Sequence, residues 1–374
     1  MRTSQRSLRR LPPRAGLAAA LALLALAGGC ATDSSPRTLD FGADGTPEGR
    51  RAVWPAPPEV PRYLYAGQLV GEANFRRPGD EQRKGVASFF GWLVGLIAGE
   101  EKPVTLQRPQ SGVIDRQGRV YVTDVSRGAV FVFDRATGRL EVWDKAEGLA
   151  NFKAPTGIAL APDGRILVAD ADLGIVAQLD RDGNPGKSIG RGALQRPTGL
   201  AYDPAGRRLY VADTHAHDIK VFDEQHNLVQ VIGRRGDGDG EFNFPTYLAF
   251  ADGALYVTDT MNSRVQVLSG DGGQLRLKFG ALGLTVGNLV RPKGVAVDAA
   301  GNIYVVESYY DHLLVFNRAG EFLMAIGGAG QGTGKFYLPA GVWVDDREQV
   351  FVADTFNGRI VRFQFLGGDA DAKR

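Results

Sequence analysis

The chain has 374 residues, with 44 Lys and Arg against 42 Asp and Glu, giving a formal net charge of +2. That near balance excludes the basic field on which nucleic-acid binding depends. The single cysteine excludes an internal disulfide, and 50 glycines suit many turns and argue against a helical solenoid.

The first 29 residues have the layout of an export signal. Arg2, Arg6, Arg9, Arg10 and Arg14 make a basic start, Ala15 to Ala27 an apolar stretch, and Gly28 and Gly29 lead into Cys30. The stretch is shorter than the roughly 20 apolar residues that a membrane span needs. The approach to Cys30 resembles the lipobox of bacterial lipoproteins, except that Leu26 sits one place further from the cysteine than usual, with Ala27 in its place. The resemblance implies that Cys30 is acylated and becomes the new N-terminus. With Ala31 rather than Asp after it, it implies the outer membrane of a Gram-negative envelope, the periplasmic or surface side staying open. The alternative is an ordinary cleaved signal with an incidental cysteine. Arg9-Arg10 followed by Leu11, Pro12 and Pro13 fits twin-arginine export poorly, which favours the general route. Losing the five signal arginines leaves 39 basic against 42 acidic residues, a net of −3.

Residues 30–57 are rich in Pro, Ser, Gly and charge. That composition predicts a flexible tether between lipid and folded domain. The folded domain is expected over 58–366, with a disordered tail at 367–374.

Within it one pattern recurs six times, starting at Pro109, Pro155, Pro197, Pro245, Pro292 and Pro339, at intervals of 46, 42, 48, 47 and 47 residues. Each copy reads Pro, a spacer, usually Gly, an apolar run, a turn, a run like Tyr-Val-Ala-Asp, a second turn, and a run like Val-Phe-Asp. In the fifth copy, strands are expected at Gly294–Asp298, Ile303–Glu307, Leu313–Asn317 and Glu321–Ile326. Short Val-, Ile- and Tyr-rich runs at a period in the forties predict an all-β, six-bladed propeller of four-stranded antiparallel blades. The sixth copy lacks a fourth strand after Arg359–Phe363. Tyr63 to Phe75 echoes Leu228 to Pro245, so an N-terminal strand is expected to close the last blade.

Pro-Thr-Gly-Leu-Ala (197–201), Leu-Tyr-Val-Ala-Asp-Thr (209–214), Asp259-Thr-Met-Asn-Ser-Arg-Val265 and Asp354-Thr-Phe-Asn-Gly-Arg-Ile360 resemble NHL repeats, over about residues 105–365. The whole resembles the six-bladed NHL-type lipoproteins of Gram-negative bacteria. The resemblance implies a platform for proteins or other macromolecules. Amidating lyases, strictosidine-synthase-like proteins and regucalcin-like lactonases share the architecture, so fold alone does not choose.

One acid ends the second strand of every copy: Asp124, Asp170, Asp213, Asp259, Glu307 and Asp354. Recurrence in every blade points to structural turn acids that accept backbone N–H bonds; a ring of carboxylates around a cation is the alternative. Arg264 and Arg359 follow their acids by five residues and are expected to pair with them, Lys220 lying near the same place in the third copy. No cofactor is called for. Asp213, His215, His217 and His312 are candidates for a zinc or calcium site, beside the all-carboxylate calcium alternative; such a site would serve a hydrolase, lactonase or lyase. No nucleophile elbow or phosphate loop is present.

In a four-stranded antiparallel blade, the loop between strands two and three shares a face with the connection to the next blade. That face therefore carries His215, His217, Met261, Asn262, Tyr309, Tyr310, His312 and Phe356. The longest insertion, 79–108, enters blade one on the same side and is expected to be a short apolar helical segment with Phe89, Phe90 and Trp92, alongside Leu93, Leu96 and Ile97. It is open to three readings: covering the propeller's own face, docking a partner, or touching the membrane. The sequence thus predicts a monomeric binding scaffold in the cell envelope, without catalysis, whose partner is an envelope protein or other macromolecule.

Overall fold

A computed structural model describes residues 37–42, 52–76, 103–271 and 273–367. The second and third strands of each repeat are apolar almost throughout and are buried on both faces, as at Val120–Asp124, Ala129–Asp134, Ile303–Glu307 and Arg264–Ser269. Runs of this kind cannot serve a sheet with one wet side. They are covered because each sheet stands between two others. Fourth strands such as Leu228–Ile232 are largely exposed, which places them on the outer rim.

Blade one comprises Pro109–Ile114, Val120–Asp124, Ala129–Asp134 and Arg139–Trp143. Blade two has Pro155–Leu160, Ile166–Asp170 and Ile175–Leu179. Blade three runs Pro197–Asp203, Arg208–Asp213, Asp218–Phe222 and Leu228–Ile232. Blade four runs Pro245–Ala251, Ala254–Asp259, Arg264–Ser269 and Leu275–Phe279. Blade five runs Pro292–Val297, Ile303–Glu307, His312–Phe316 and Phe322–Gly327. Blade six takes Val342–Val344, Gln349–Asp354 and Arg359–Phe365 from the end of the chain. Tyr63–Leu69 then adds antiparallel to Arg359–Phe365, so an N-terminal strand closes the last blade.

Six apolar clusters fill the gaps between neighbouring blades. The one between blades six and one joins Phe351, Ala353 and Ile360 to Val120, Phe131 and Phe133. The first strands pack side by side around the axis. Their approach explains the glycine of the repeat: a Cβ at Gly199 would lie 2.5 Å from the Thr246 carbonyl oxygen of the next blade. Blade one places its glycine one position later. There Gly112 leaves room for the Trp343 ring, which stacks on Phe351 at 5.6 Å.

Two differences from expectation stand out. Blade two has no regular fourth strand; the bridges Val176 to Ile189 and Leu179 to Pro185 hold that place. The segment there, Asp180 to Gly192, carries five residues that suit turns rather than strands: Gly183, Pro185, Gly186, Gly190 and Gly192. Two pieces of the expected tether are ordered on the ring instead. Thr38–Leu39 pairs with Phe75–Arg76, and Val53–Trp54 pairs with Tyr63–Leu69 as a fifth strand of blade six. Leu39, Phe41 and Trp54 are the few large apolar residues of that stretch, and each packs against the core. The expected signal, Cys30, most of the apolar insertion with Phe89, Phe90 and Trp92, and residues 368–374 lie outside the described residues. Among the described residues the only helical pieces are single 3₁₀ turns.

Candidate functional site

Each repeat acid clasps two segments. Asp124 Oδ2 accepts from the Gln107 and Arg108 amides at 2.6 and 3.0 Å, and its Oδ1 from Ser126 and Arg127 in the loop that follows. Asp170 does the same with Lys153, Ala154, Asp172 and Leu173. Asp213 holds Gln195 and Arg196. Glu307 holds Val290, Arg291 and Tyr309. Asp259 and Asp354 each take one incoming amide, Asn243 and Tyr337, and turn the other oxygen to an Arg at 2.7 Å, Arg264 and Arg359. The Arg359 fork goes on to the Gly332 and Lys335 carbonyls. In blade three Lys220 stands in, 3.6 Å from Asp213 and 2.6 Å from Asp218. All six acids are buried. Burial pushes the Glu307 and Asp354 carboxyls up, against the bonds they accept. Their oxygens are spent on tying each incoming connection to its blade.

The geometry that buries the acid exposes the residue two places after it: Ser126, Asp172, His215, Met261, Tyr309 and Phe356 are all on the surface. In blades three to six this position is His, Met, Tyr and Phe. Met261 is 61% exposed, Tyr309 55% and Phe356 45%. Tyr309 meets Tyr310 edge-on at 5.0 Å, Phe356 lies 5.4 Å from Tyr337, and the Arg108 guanidinium sits 4.8 Å over the Phe356 ring. These rings form an arc around one end of the axis.

Other expected residues of this face are inward. His217 is buried, stacks edge-on against Phe244 at 4.4 Å and accepts the Phe244 amide on Nδ1 at 3.2 Å. Asn262 donates to Asp259 and to the Gly236 carbonyl. His312 is half-buried in a strand opposite Glu307, and its ring is pushed toward the neutral form by burial. His215 and His217 are in blade three and His312 in blade five. Among the described residues no three His, Cys, Asp or Glu side chains come together as metal ligands do.

The axis holds a feature that the sequence reading missed. Tyr247 stands in blade four where blades two and three have Gly157 and Gly199. Its hydroxyl donates to the Gln110 carbonyl in blade one at 3.1 Å. That contact bars the end of the axis nearest the aromatic arc. Beyond it a cavity of 280 Å³, walled by all six first strands, runs away from the arc. Leu160, Tyr202 and Val344 are shared with a mouth of 470 Å³ on the opposite face, where Asp115, Arg116, Arg181, Asp345 and Asp346 gather. The odd residue is visible in the sequence, as Pro-Thr-Tyr where blades two and three read Pro-Thr-Gly, but its partner across the axis is not.

Comparison with known proteins bears on the fold. The profile described as "6-bladed beta-propeller" matches residues 288–371, and that of the NHL repeat matches 194–222. Protein brain tumor of Drosophila melanogaster is 31% identical over 134 residues, 35% of this chain and 12% of that protein. NHL repeat-containing protein 2 of Bos taurus is 28% identical over 153 residues, 32% of this chain and 21% of that protein. The chain thus matches only a minor part of these curated relatives. Among solved structures, virginiamycin B lyase from Staphylococcus aureus superposes with a TM-score of 0.52 at 13% identity, covering 70% of this chain and 96% of that one. A gluconolactonase from Xanthomonas campestris gives 0.54 at 15%, covering 70% and 89%. An auxiliary nutrient binding protein from Bacteroides thetaiotaomicron gives 0.56 at 13%, covering 70% of each. At such identities the likeness is one of fold. Closed ring, six sheets and repeat matches together make this chain an all-β, six-bladed propeller with NHL repeats.

Proposed function

We propose that the protein is a non-catalytic binding module of the bacterial cell envelope, tethered through an acylated Cys30 and presenting its 2–3-loop face to a macromolecular partner. One observation carries this reading: four successive blades place His215, Met261, Tyr309 and Phe356 outward at one equivalent position. Exposed aromatic and Met side chains gathered on loops of a rigid scaffold are typical of contact surfaces. Replacing Tyr309 and Phe356 together by Ser should abolish capture of an envelope partner by the full chain, without lowering its unfolding midpoint. Unchanged capture would remove the reading. Outer-membrane placement is part of the same proposal. Cys30→Ser should move the protein from the membrane to the soluble fraction.

A second reading, a metal-dependent hydrolase, lactonase or lyase, draws on the axial cavity and on the fold shared with a lyase and a gluconolactonase. One calcium or zinc ion per purified chain, with stability lost on chelation, would favour it.

A further inference from the structure

The inner end of each first strand supplies one side chain beside the barred axis, directly after the repeat proline: Gln110, Thr156, Thr198, Thr246, Lys293 and Ala340. Three of these are tied into the ring. Thr156 donates to the Thr198 carbonyl at 3.3 Å, Thr198 to the Thr246 carbonyl at 2.8 Å, and Thr246 meets Thr260 at 2.6 Å. Lys293 breaks the pattern. Its ammonium is half-buried and has no hydrogen bond or ion pair among the described residues. The one charge that acts on it is another cation, Arg291, and no carboxylate offsets Lys293; Arg291 itself has the buried Glu307 carboxylate nearby. Burial, reinforced by Arg291, pushes the Lys293 ammonium toward its neutral form.

Arg291 is exposed, two residues away. The loop that follows Glu307 is fastened to it: the Ser308 amide and hydroxyl both donate to the Arg291 carbonyl, at 3.2 and 3.0 Å. The Tyr309 loop is therefore fastened to the Arg291 backbone, and the Tyr309 ring, edge-on to Tyr310, is exposed. Two other basic residues of this face have partners: Arg196 is paired with Asp172 at 2.8 Å, and Arg127 donates to the Thr105 carbonyl. A desolvated cation without a counter-ion is a cost to the fold unless something anionic completes it.

Resting on the binding-surface reading above, we propose that blade five holds an oxyanion subsite. A carboxylate or phosphate of the ligand sits between Lys293 and Arg291, and an attached ring lies on Tyr309.

The test uses the full chain at low salt, with inorganic phosphate and glucuronate as probes in calorimetric titrations. Both should bind at one site, and glucuronate more tightly because its ring meets Tyr309. Lys293→Met should weaken both by at least about tenfold, the usual scale for losing a charged partner, while Lys293→Arg keeps them. Tyr309→Ser should weaken glucuronate and leave phosphate unchanged. Binding of phosphate alone or glucuronate alone, lost in Lys293→Met, would identify which oxyanion the site takes. If neither probe binds, or if Lys293→Met binds as the wild type does, the subsite is wrong. That failure is separate from the surface reading, which falls only when the Tyr309 and Phe356 double variant still captures its partner. Should Lys293→Met unfold, Arg291→Gln gives the same readout from an exposed position.

Discussion

Tyr247 donates its hydroxyl to the Gln110 carbonyl at 3.1 Å, linking blade four to blade one, three blades away around a ring of six. Among the described residues no other side-chain bond crosses the axis in this way, and burial pushes the Tyr247 phenol up, so it stays neutral and keeps its proton for that bond.

Tyr247→Phe removes the bond and keeps the ring. It should cost about 1 kcal/mol of stability. Tyr247→Gly restores the repeat's residue but empties the space, and should cost about 3 kcal/mol or more. Denaturant midpoints check both. A Gly variant as stable as wild type would show that the bar carries no load.

The buried pair Asp354 and Arg359 should respond unequally to single and double replacement. Arg359→Met leaves a buried carboxylate without its cation and should cost about 3 kcal/mol or more. The double variant Asp354→Asn with Arg359→Met should recover part of that loss, since no charge then remains buried. Chemical denaturation of the four chains gives the coupling.

Asp134 should make the protein acid-sensitive. Burial opposes its ionisation, but the Thr137 and Ala136 amides and Arg119 at 2.8 Å together hold its carboxyl below the usual value of 3.8. A folded value below the unfolded one means that its contribution is full above about pH 4 and is lost as pH falls through the folded value. Asp134→Ala should therefore be destabilised at pH 7 and should approach wild type near pH 2. A constant gap at all pH values would contradict this.

The N-terminal pieces should matter to the ring. Trp54 meets Phe363 edge-on at 5.4 Å, and the Arg362 guanidinium lies 3.7 Å over the Phe41 ring. Trp54→Ala and Phe41→Ala should each cost about 2 kcal/mol. No change in unfolding midpoint would mean that these residues rest on blade six without supporting it.

The repeat was legible because its signals are local: a proline, a glycine, two apolar runs and an acid recur within one blade, and the same apolar runs are found buried on both faces. The pairing of Arg264 and Arg359 with acids five residues earlier was legible for the same reason. The axial bar was not, because Tyr247 and Gln110 are 137 residues apart and meet only when the ring closes. Nor was the ordering of Leu39, Phe41 and Trp54, since a polar stretch hides three apolar anchors, two of which, Phe41 and Trp54, meet partners near the other end of the chain. His217 and Asn262 looked like surface residues because they sit in loops, yet both face inward. The residue two places after the acid is the one that the turn throws outward.

The placement of the working surface is tested most directly by photo-crosslinking in intact cells. A photoreactive residue would replace Tyr309 in the aromatic arc or Gln117 beside the opposite mouth. Specific adducts from position 309, with none from 117, are expected. Adducts from 117 alone would put the partner on the opposite face and overturn the assignment.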